Sequence, residues 1–312
     1  MTYNEIIPES PAPSVALVLG AGGARGLAHI GAIQVIVQRG YQVAGIAGSS
    51  MGALVGGIYA AGKLADYAAW AQALERSDVI RLLDFTFGSP GFIRGERVIS
   101  ALRALVGEHD IEKLPTPFVA VATDLRSQRE IWLTRGSLFE AIRASIAIPG
   151  VFTPHTIGSR EVVDGGLLAP VPITATRFFH ADIVVAVDVN SAPLPPALRR
   201  PRIAQPAPVA AGAEGKAEHD SLRARIESFL ARMVERKPAV DQPGLMELLS
   251  RSLDTVHARI SQMQLALDPP DVLIQVPRDA CFFYEFWRAG EMIALGREAA
   301  AAALDRYEAL AK

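Results

Sequence analysis

The sequence predicts an α/β fold with a largely parallel sheet, and three observations carry that prediction. Short apolar runs at 14–19, 43–47, 118–123 and 182–189 alternate with stretches of helical periodicity. The first run opens directly into a glycine-rich turn, Gly20-Ala21-Gly22-Gly23-Ala24-Arg25-Gly26. The second opens into Gly48-Ser49-Ser50-Met51-Gly52, which has the form G-x-S-x-G.

A chain of 312 residues, 50% hydrophobic and 21% charged, can bury a full core and sits at the upper end of what one domain holds. A flexible N-terminus at 1–13 followed by a single domain at 14–312 is expected. Net charge is −2, from 31 basic and 33 acidic residues, which leaves no electrostatic footprint for nucleic acid. Cys281 is the sole cysteine, so neither an intramolecular disulfide nor a cysteine metal cluster is expected, and it reads as a buried thiol. The first fourteen residues have no basic start and no apolar core. No signal peptide is expected, and the cytosol is the expected compartment.

Taken in order, the strand at 14–19 runs into the glycine turn and then a helix from Leu27 to about Gln38. Such a loop suits an anion. A dinucleotide fold would want an acidic residue some twenty positions on, and there is no Asp or Glu between Gly20 and Asp66. The other use of consecutive glycine N–H groups at a helix start is an oxyanion hole, with Gly22 and Gly23 as candidates. Arg25 either adds positive potential there or makes an ordinary contact at a helix start. The uncharged run from Gly40 to Gly62 is long enough for a membrane span, and its Gly48, Gly52 and Gly56 even give G-x-x-x-G. Its many glycines and the Ser49-Ser50 pair are better explained by strand, tight turn and helix. In that elbow Gly48 and Gly52 are small enough to flank a strained Ser50, and the helix from Ala53 to Ala61 aims its positive end back at it.

From Lys63 to Glu112 the pattern is helical, an excursion read as covering the site, with a turn at Gly88-Ser89-Pro90-Gly91. A strand at 118–123, an edge strand at 130–134 and a helix at 137–147 follow. The segment 160–163 leads into Asp164-Gly165-Gly166, where two glycines let the backbone bring a carboxylate close to another group, although Asp-Gly is also a common turn. After the strand at 182–189, a Pro/Ala-rich stretch at 191–217 reads as a linker. An amphipathic helix is expected at 219–236, a longer one at 245–267, a strand at 271–276 and a final helix ending at Leu310. The aromatic run at 282–287 reads as core packing.

Taken together, the glycine loop, the elbow and Asp164-Gly165-Gly166 resemble the patatin-like phospholipase family, in particular its bacterial members related to neuropathy target esterase. Gly26-Leu27-Ala28-His29-Ile30-Gly31, Ala122-Thr123-Asp124-Leu125, Ser145-Ile146-Ala147-Ile148-Pro149-Gly150 and Pro170-Val171-Pro172 also look like segments of that family. The resemblance covers most of 15–189 and, more loosely, 245 to the end. It implies a three-layer α/β/α sheet, lipid acyl ester hydrolysis and no cofactor or metal. It also implies a serine–aspartate dyad with Ser50 as nucleophile and Asp164 as base, and an oxyanion hole in the stretch Gly22, Gly23, Ala24, Arg25. The loop departs from a plain G-x-G-x-x-G, because Arg25 holds the sixth place and Gly26 follows.

Six histidines invite the alternative of a Ser-His-Asp triad. In the order Ser, Asp, His, the partner would lie after Asp164, where only His180, His219 and His257 stand. Each reads as a surface or capping residue. In a dyad the carboxylate takes the serine proton itself, and at its ordinary pKa of about 4 it is a weak base. Serine acyl hydrolysis of lipids is thus the leading expectation, beside a soluble carboxylesterase or a non-catalytic lipid-binding module. The stripe Leu222, Ile226, Phe229, Leu230, Met233 and Val234 on 219–236 would dock that helix on a core. Its basic polar face gives a second reading, contact with an anionic membrane surface.

Overall fold

The computed structural model describes residues 13–86, 91–193 and 245–310, with the backbone alone for 245–250. The expected N-terminal segment 1–12, the turn residues 88–90, the linker from 194, the helix at 219–236 and His219 lie outside the described residues. The chain divides into two units, the first Met1–Pro193 with Leu253–Lys312 and the second Leu194–Ser252.

In the first unit the strands are β1 (Ser14–Leu19), β2 (Gln42–Ser49), β3 (Phe118–Asp124), β4 (Arg129–Leu133), β5 (His155–Ile157), β6 (Arg160–Asp164), β7 (Ile183–Ser191) and β8 (Val272–Pro277). They form one sheet in the order β5-β6-β3-β2-β1-β7-β8, with β4 also paired to β3. The pairs β1/β2, β1/β7, β2/β3 and β7/β8 are parallel. The pairs β3/β4, β3/β6 and β5/β6 are antiparallel. The sheet is therefore parallel through its centre, as expected, and antiparallel at one edge. That edge carries Asp164: β6 runs against β3 with Asp164 opposite Ala122.

The central strands are continuous apolar runs because both of their faces are covered. Along β1, Val15, Leu17 and Leu19 enter the main core, while Val18 packs on the opposite face with Val171, Ile173 and Ala186. β3 alternates likewise: Phe118 and Ala120 face the main core, and Val119 and Val121 join Ala47, Ala169 and Ala175. The main core lies under α1 (Ala28–Gln38), α2 (Met51–Ala60) and the C-terminal helix α8 (Ala289–Leu310). α1 and α8 approach at Gly31 and Gly296, where a Cβ on either would run into a backbone carbonyl of the other helix. α3 (Leu64–Ala73), α4 (Arg76–Leu82), α5 (Glu96–Val106) and α6 (Leu138–Ser145) account for the helical excursion and the helix after β4. α7 (Leu245–Leu267) sends Leu265 into the smaller cluster on the other face of the sheet.

The uncharged run 40–62 is β2, a tight turn and α2. Among the described residues no helix is long and apolar enough to cross a membrane. The aromatic run differs from its expected place in the core. Phe286 packs against the core, but Phe282 and Tyr284 stack on each other 5.7 Å apart with Phe282 36% exposed, and Trp287 lies under the Arg76 guanidinium.

Candidate active site

β1, β2 and β7 are parallel, so their C-terminal ends gather along one end of the strands, where ligands of open α/β sheets bind. Ser50 stands there between β2 and α2 with φ 55° and ψ −123°. A non-glycine residue at such angles is strained and persists only where its surroundings leave no alternative. Gly48 and Gly52 create those surroundings. A Cβ on Gly52 would strike the Leu19 carbonyl oxygen, and one on Gly48 would strike the backbone of Gly52 and Ala53. The Ser50 N–H donates to Ser145 Oγ at 2.9 Å, and Ser145 Oγ donates to the Val121 carbonyl at 2.6 Å. The elbow is thereby pinned to both α6 and β3.

Asp164 ends β6, and its N–H donates to the Ala147 carbonyl at 3.0 Å. Its Oδ1 accepts from the Gly166 N–H at 2.7 Å, and its Oδ2 accepts from Ser50 Oγ at 2.6 Å. Both residues are 3% exposed. Burial pushes the Asp164 carboxyl up to about 7, although the bonds from Ser50 and Gly166 pull the other way. This differs from the weak base expected of an ordinary carboxylate. A group that titrates near neutrality is well matched to taking up and returning a proton at pH 7.

The glycine loop packs against neighbours of both partners. A Cβ on Gly26 would strike the Met51 side chain beside Ser50, and Ala21 Cβ stands 2.7 Å from where a Cβ on Gly166 would be. Within the loop the Ala21 N–H donates to the Pro170 carbonyl and the Ala24 N–H to the Phe283 carbonyl, each at 2.8 Å. The Gly22 and Gly23 N–H groups meet no acceptor among the described residues. The Arg25 side chain is buried away from Ser50: it donates to Asp254 at 2.7 Å, to Asn190 Oδ1 at 2.9 Å and to the Arg278 carbonyl at 3.2 Å. The Arg25 guanidinium is thus tied internally rather than at the surface.

No described histidine bonds to Ser50 or Asp164. His29 is fully buried with Nε2 on the Gly20 carbonyl at 2.7 Å, and burial holds its pKa down at about 4. His180 is exposed. His257 departs from its expected surface place: it is half-buried on α7, with its Cε1 3.4 Å from the Cβ position of Gly166. Burial lowers its pKa, against the pull of Asp254. Among the described residues no group of His, Cys, Asp or Glu side chains is placed to hold a metal ion. Cys281 is buried, and burial raises its thiol to about 12, which makes it inert.

Ser145, Asn190, Asp254 and the Phe283 carbonyl are the parts of this site that sequence reasoning missed. Ser145 was visible only as part of a segment that resembles the family. Asn190 carried one usable signal, a polar residue at the C-terminal end of a buried parallel strand.

Comparison with known proteins gives the family. The family model described as patatin-like phospholipase matches residues 17–177. An uncharacterised NTE family protein of Mycobacterium tuberculosis is 40% identical, over 96% of this chain and 93% of its own. Patatin-like phospholipase domain-containing protein 7 of Mus musculus is 30% identical, over 57% of this chain and 14% of its own length. A lysophospholipase of Emericella nidulans is 28% identical, over 57% of this chain and 12% of its own. A match that spans half of the chain, and a relative similar along nearly all of it, lead to one conclusion: this chain belongs to the patatin-like phospholipase family and is a lipid acyl hydrolase.

Proposed function

We propose that the chain cleaves carboxylic ester bonds of phospholipids or lysophospholipids through a Ser50–Asp164 dyad and an acyl-Ser50 intermediate. The observation that carries the reading is the 2.6 Å contact between Ser50 Oγ and a buried Asp164 whose carboxyl titrates near 7. Asp164 Oδ2 takes the hydroxyl proton as Ser50 Oγ attacks the ester carbonyl carbon. The carbonyl oxygen becomes an oxyanion, met by the Gly22 and Gly23 N–H groups and by the positive end of α2. Collapse expels the alcohol, which leaves with the proton from Asp164. Water then attacks acyl-Ser50 and gives its proton to Asp164. The fatty acid departs, and Ser50 Oγ recovers that proton. Of the expected oxyanion residues, Ala24 has its N–H on the Phe283 carbonyl, and the donors proposed for the hole are the Gly22 and Gly23 N–H groups. The cycle needs no cofactor.

The test is reaction with a serine-directed fluorophosphonate, followed by a panel of lipids and short soluble esters. The reading expects label on Ser50 and turnover of lipid esters. Turnover of short esters alone would favour a soluble carboxylesterase, and absence of label would favour a non-catalytic lipid-binding module. Peripheral contact with an anionic membrane through 219–236 belongs to the same proposal and rests on the sequence pattern. Phe229→Glu is expected to weaken binding to anionic vesicles, and a large fall in melting temperature instead would assign that stripe to a core.

A further inference from the structure

We infer that Asn190 is a positioning residue, which holds the Ala21–Gly22 peptide so that the Gly22 N–H faces the oxyanion. The inference rests on the acyl hydrolase reading above. The Ala21 carbonyl and the Gly22 N–H belong to one planar trans peptide, so they point in opposite directions. Whatever grips the carbonyl therefore sets the direction of the N–H.

Asn190 Nδ2 donates to the Ala21 carbonyl at 2.6 Å. The orientation of the amide follows from its partners. Its Oδ1 receives the Arg25 guanidinium at 2.9 Å, and a guanidinium only donates, so the amide nitrogen must face the carbonyl. Asn190 is itself fixed. Its backbone N–H donates to Asp188 Oδ1 at 2.9 Å, and Arg25 is anchored beyond it by Asp254 at 2.7 Å and by the Arg278 carbonyl at 3.2 Å. Arg25 and Asn190 are each 2% exposed, so the bonds from Arg25 to Asn190 and from Asn190 to Ala21 are shielded from competing water.

The grip acts at one defined point. Ala21 already has its N–H on Pro170, so with Asn190 on its carbonyl both of its backbone groups are tied. The Gly22 N–H is the next donor along the loop and meets no acceptor among the described residues. A Cβ on Gly22 would strike the Val189 side chain, so the loop is pressed onto the end of β7 where Asn190 stands. The site needs one short side chain with a donor for a carbonyl and an acceptor for a guanidinium, which asparagine supplies. Aspartate keeps the acceptor and loses the donor.

Asn190→Asp is therefore the informative variant, because its carboxylate retains the Arg25 contact and replaces the bond to Ala21 with repulsion of that carbonyl. Three readouts are needed on full-length protein: kcat and KM with a short soluble ester, the inhibition constant of a trifluoromethyl ketone, and the melting temperature. The ketone accepts Ser50 Oγ at its carbonyl carbon, the serine proton passes to Asp164, and the ketone oxygen becomes an oxyanion in the hole. Removing one oxyanion donor outright costs about 100-fold to 1,000-fold, so loss of its holder is expected to cost kcat about 10-fold to 100-fold. The inhibition constant should rise by a similar factor, with KM changed far less. A merely structural role would instead lower the melting temperature and leave kcat and the inhibition constant of the folded fraction unchanged. Should Asn190→Asp not fold, Asn190→Ala removes the Arg25 contact as well as the bond to Ala21, so its kcat per labelled Ser50 is compared with that of Arg25→Gln, which removes the Arg25 contact alone; an equal kcat would overturn the inference. A wild-type protein that forms the ketone adduct and an Asn190→Asp variant that forms it equally tightly would overturn this inference alone. A wild-type protein with no Ser50 adduct would overturn the acyl hydrolase reading and this inference with it.

Discussion

Ser50 and Asp164 meet at 2.6 Å, yet they are held there by different means. Ser50 owes its place first to its own turn, strained between β2 and α2 with glycines at 48 and 52 where any side chain would strike backbone, and Ser145 then fixes its N–H from α6. Asp164 is held by partners distant in sequence, namely the register of β6 against β3, the Ala147 carbonyl and the core that buries it. The nucleophile side of the site is thus a problem of local sterics. The carboxylate side is a problem of long-range packing and electrostatics, and burial there works against the charged form that would act as base.

The comparison is tested most severely by Asp164→Asn. If Asp164 is the base, turnover should fall by about 100-fold to 10,000-fold, the range for loss of a general base, while His180→Ala and His257→Ala have far smaller effects. Collapse of activity in a folded His257→Ala protein would break the dyad account and replace it with a triad. The same variant reports on stability. Asp164 titrates at about 7 in the folded chain against 3.8 for the free group, so the folded state binds its proton more tightly than the unfolded state does. Its contribution to stability is fully present below pH 3.8 and is lost as pH rises through about 7. Asparagine stays neutral, so Asp164→Asn should gain on the native protein as pH rises across that window, and a stability gap independent of pH would contradict the raised pKa.

On the nucleophile side the expected effect is smaller and steric. Gly52→Ala places a Cβ against the Leu19 carbonyl and should cost about 1–3 kcal/mol, as overpacking does. Chemical denaturation measures it. The loss should be the same at pH 5 and pH 8, unlike that of Asp164. A substitution that leaves stability unchanged would show that the elbow has slack.

The same division decides what could be read before the structure. The elbow, the glycine loop and Asp164-Gly165-Gly166 were legible because each is a few consecutive residues whose small size or charge has a local purpose. β2, α2 and α7 fell within a few residues of their expected bounds for the same reason, since apolar runs and helical periodicity are local. The antiparallel edge was not legible, because strand direction is decided by which neighbours pair. Nor were the bonds from Ser50 to Ser145, from Asn190 to Ala21 and from Arg25 to Asp254, which join residues 95, 169 and 229 positions apart. The raised pKa of Asp164 depends on burial by the whole chain and leaves no mark in the tripeptide itself. The aromatic run at 282–287 misled because large apolar side chains usually enter a core, whereas here the Phe283 carbonyl ties the glycine loop and the rings stay half-buried.

The most direct test of the central claim, that a buried Asp164 acts as the base for Ser50, is the rate of fluorophosphonate labelling at Ser50 as a function of pH. Labelling should rise with pH along a single limb centred near 7, follow the ionised fraction of Asp164, and lose that limb in Asp164→Asn. A limb near 7 that survives in Asp164→Asn and vanishes in His257→Ala would contradict the account.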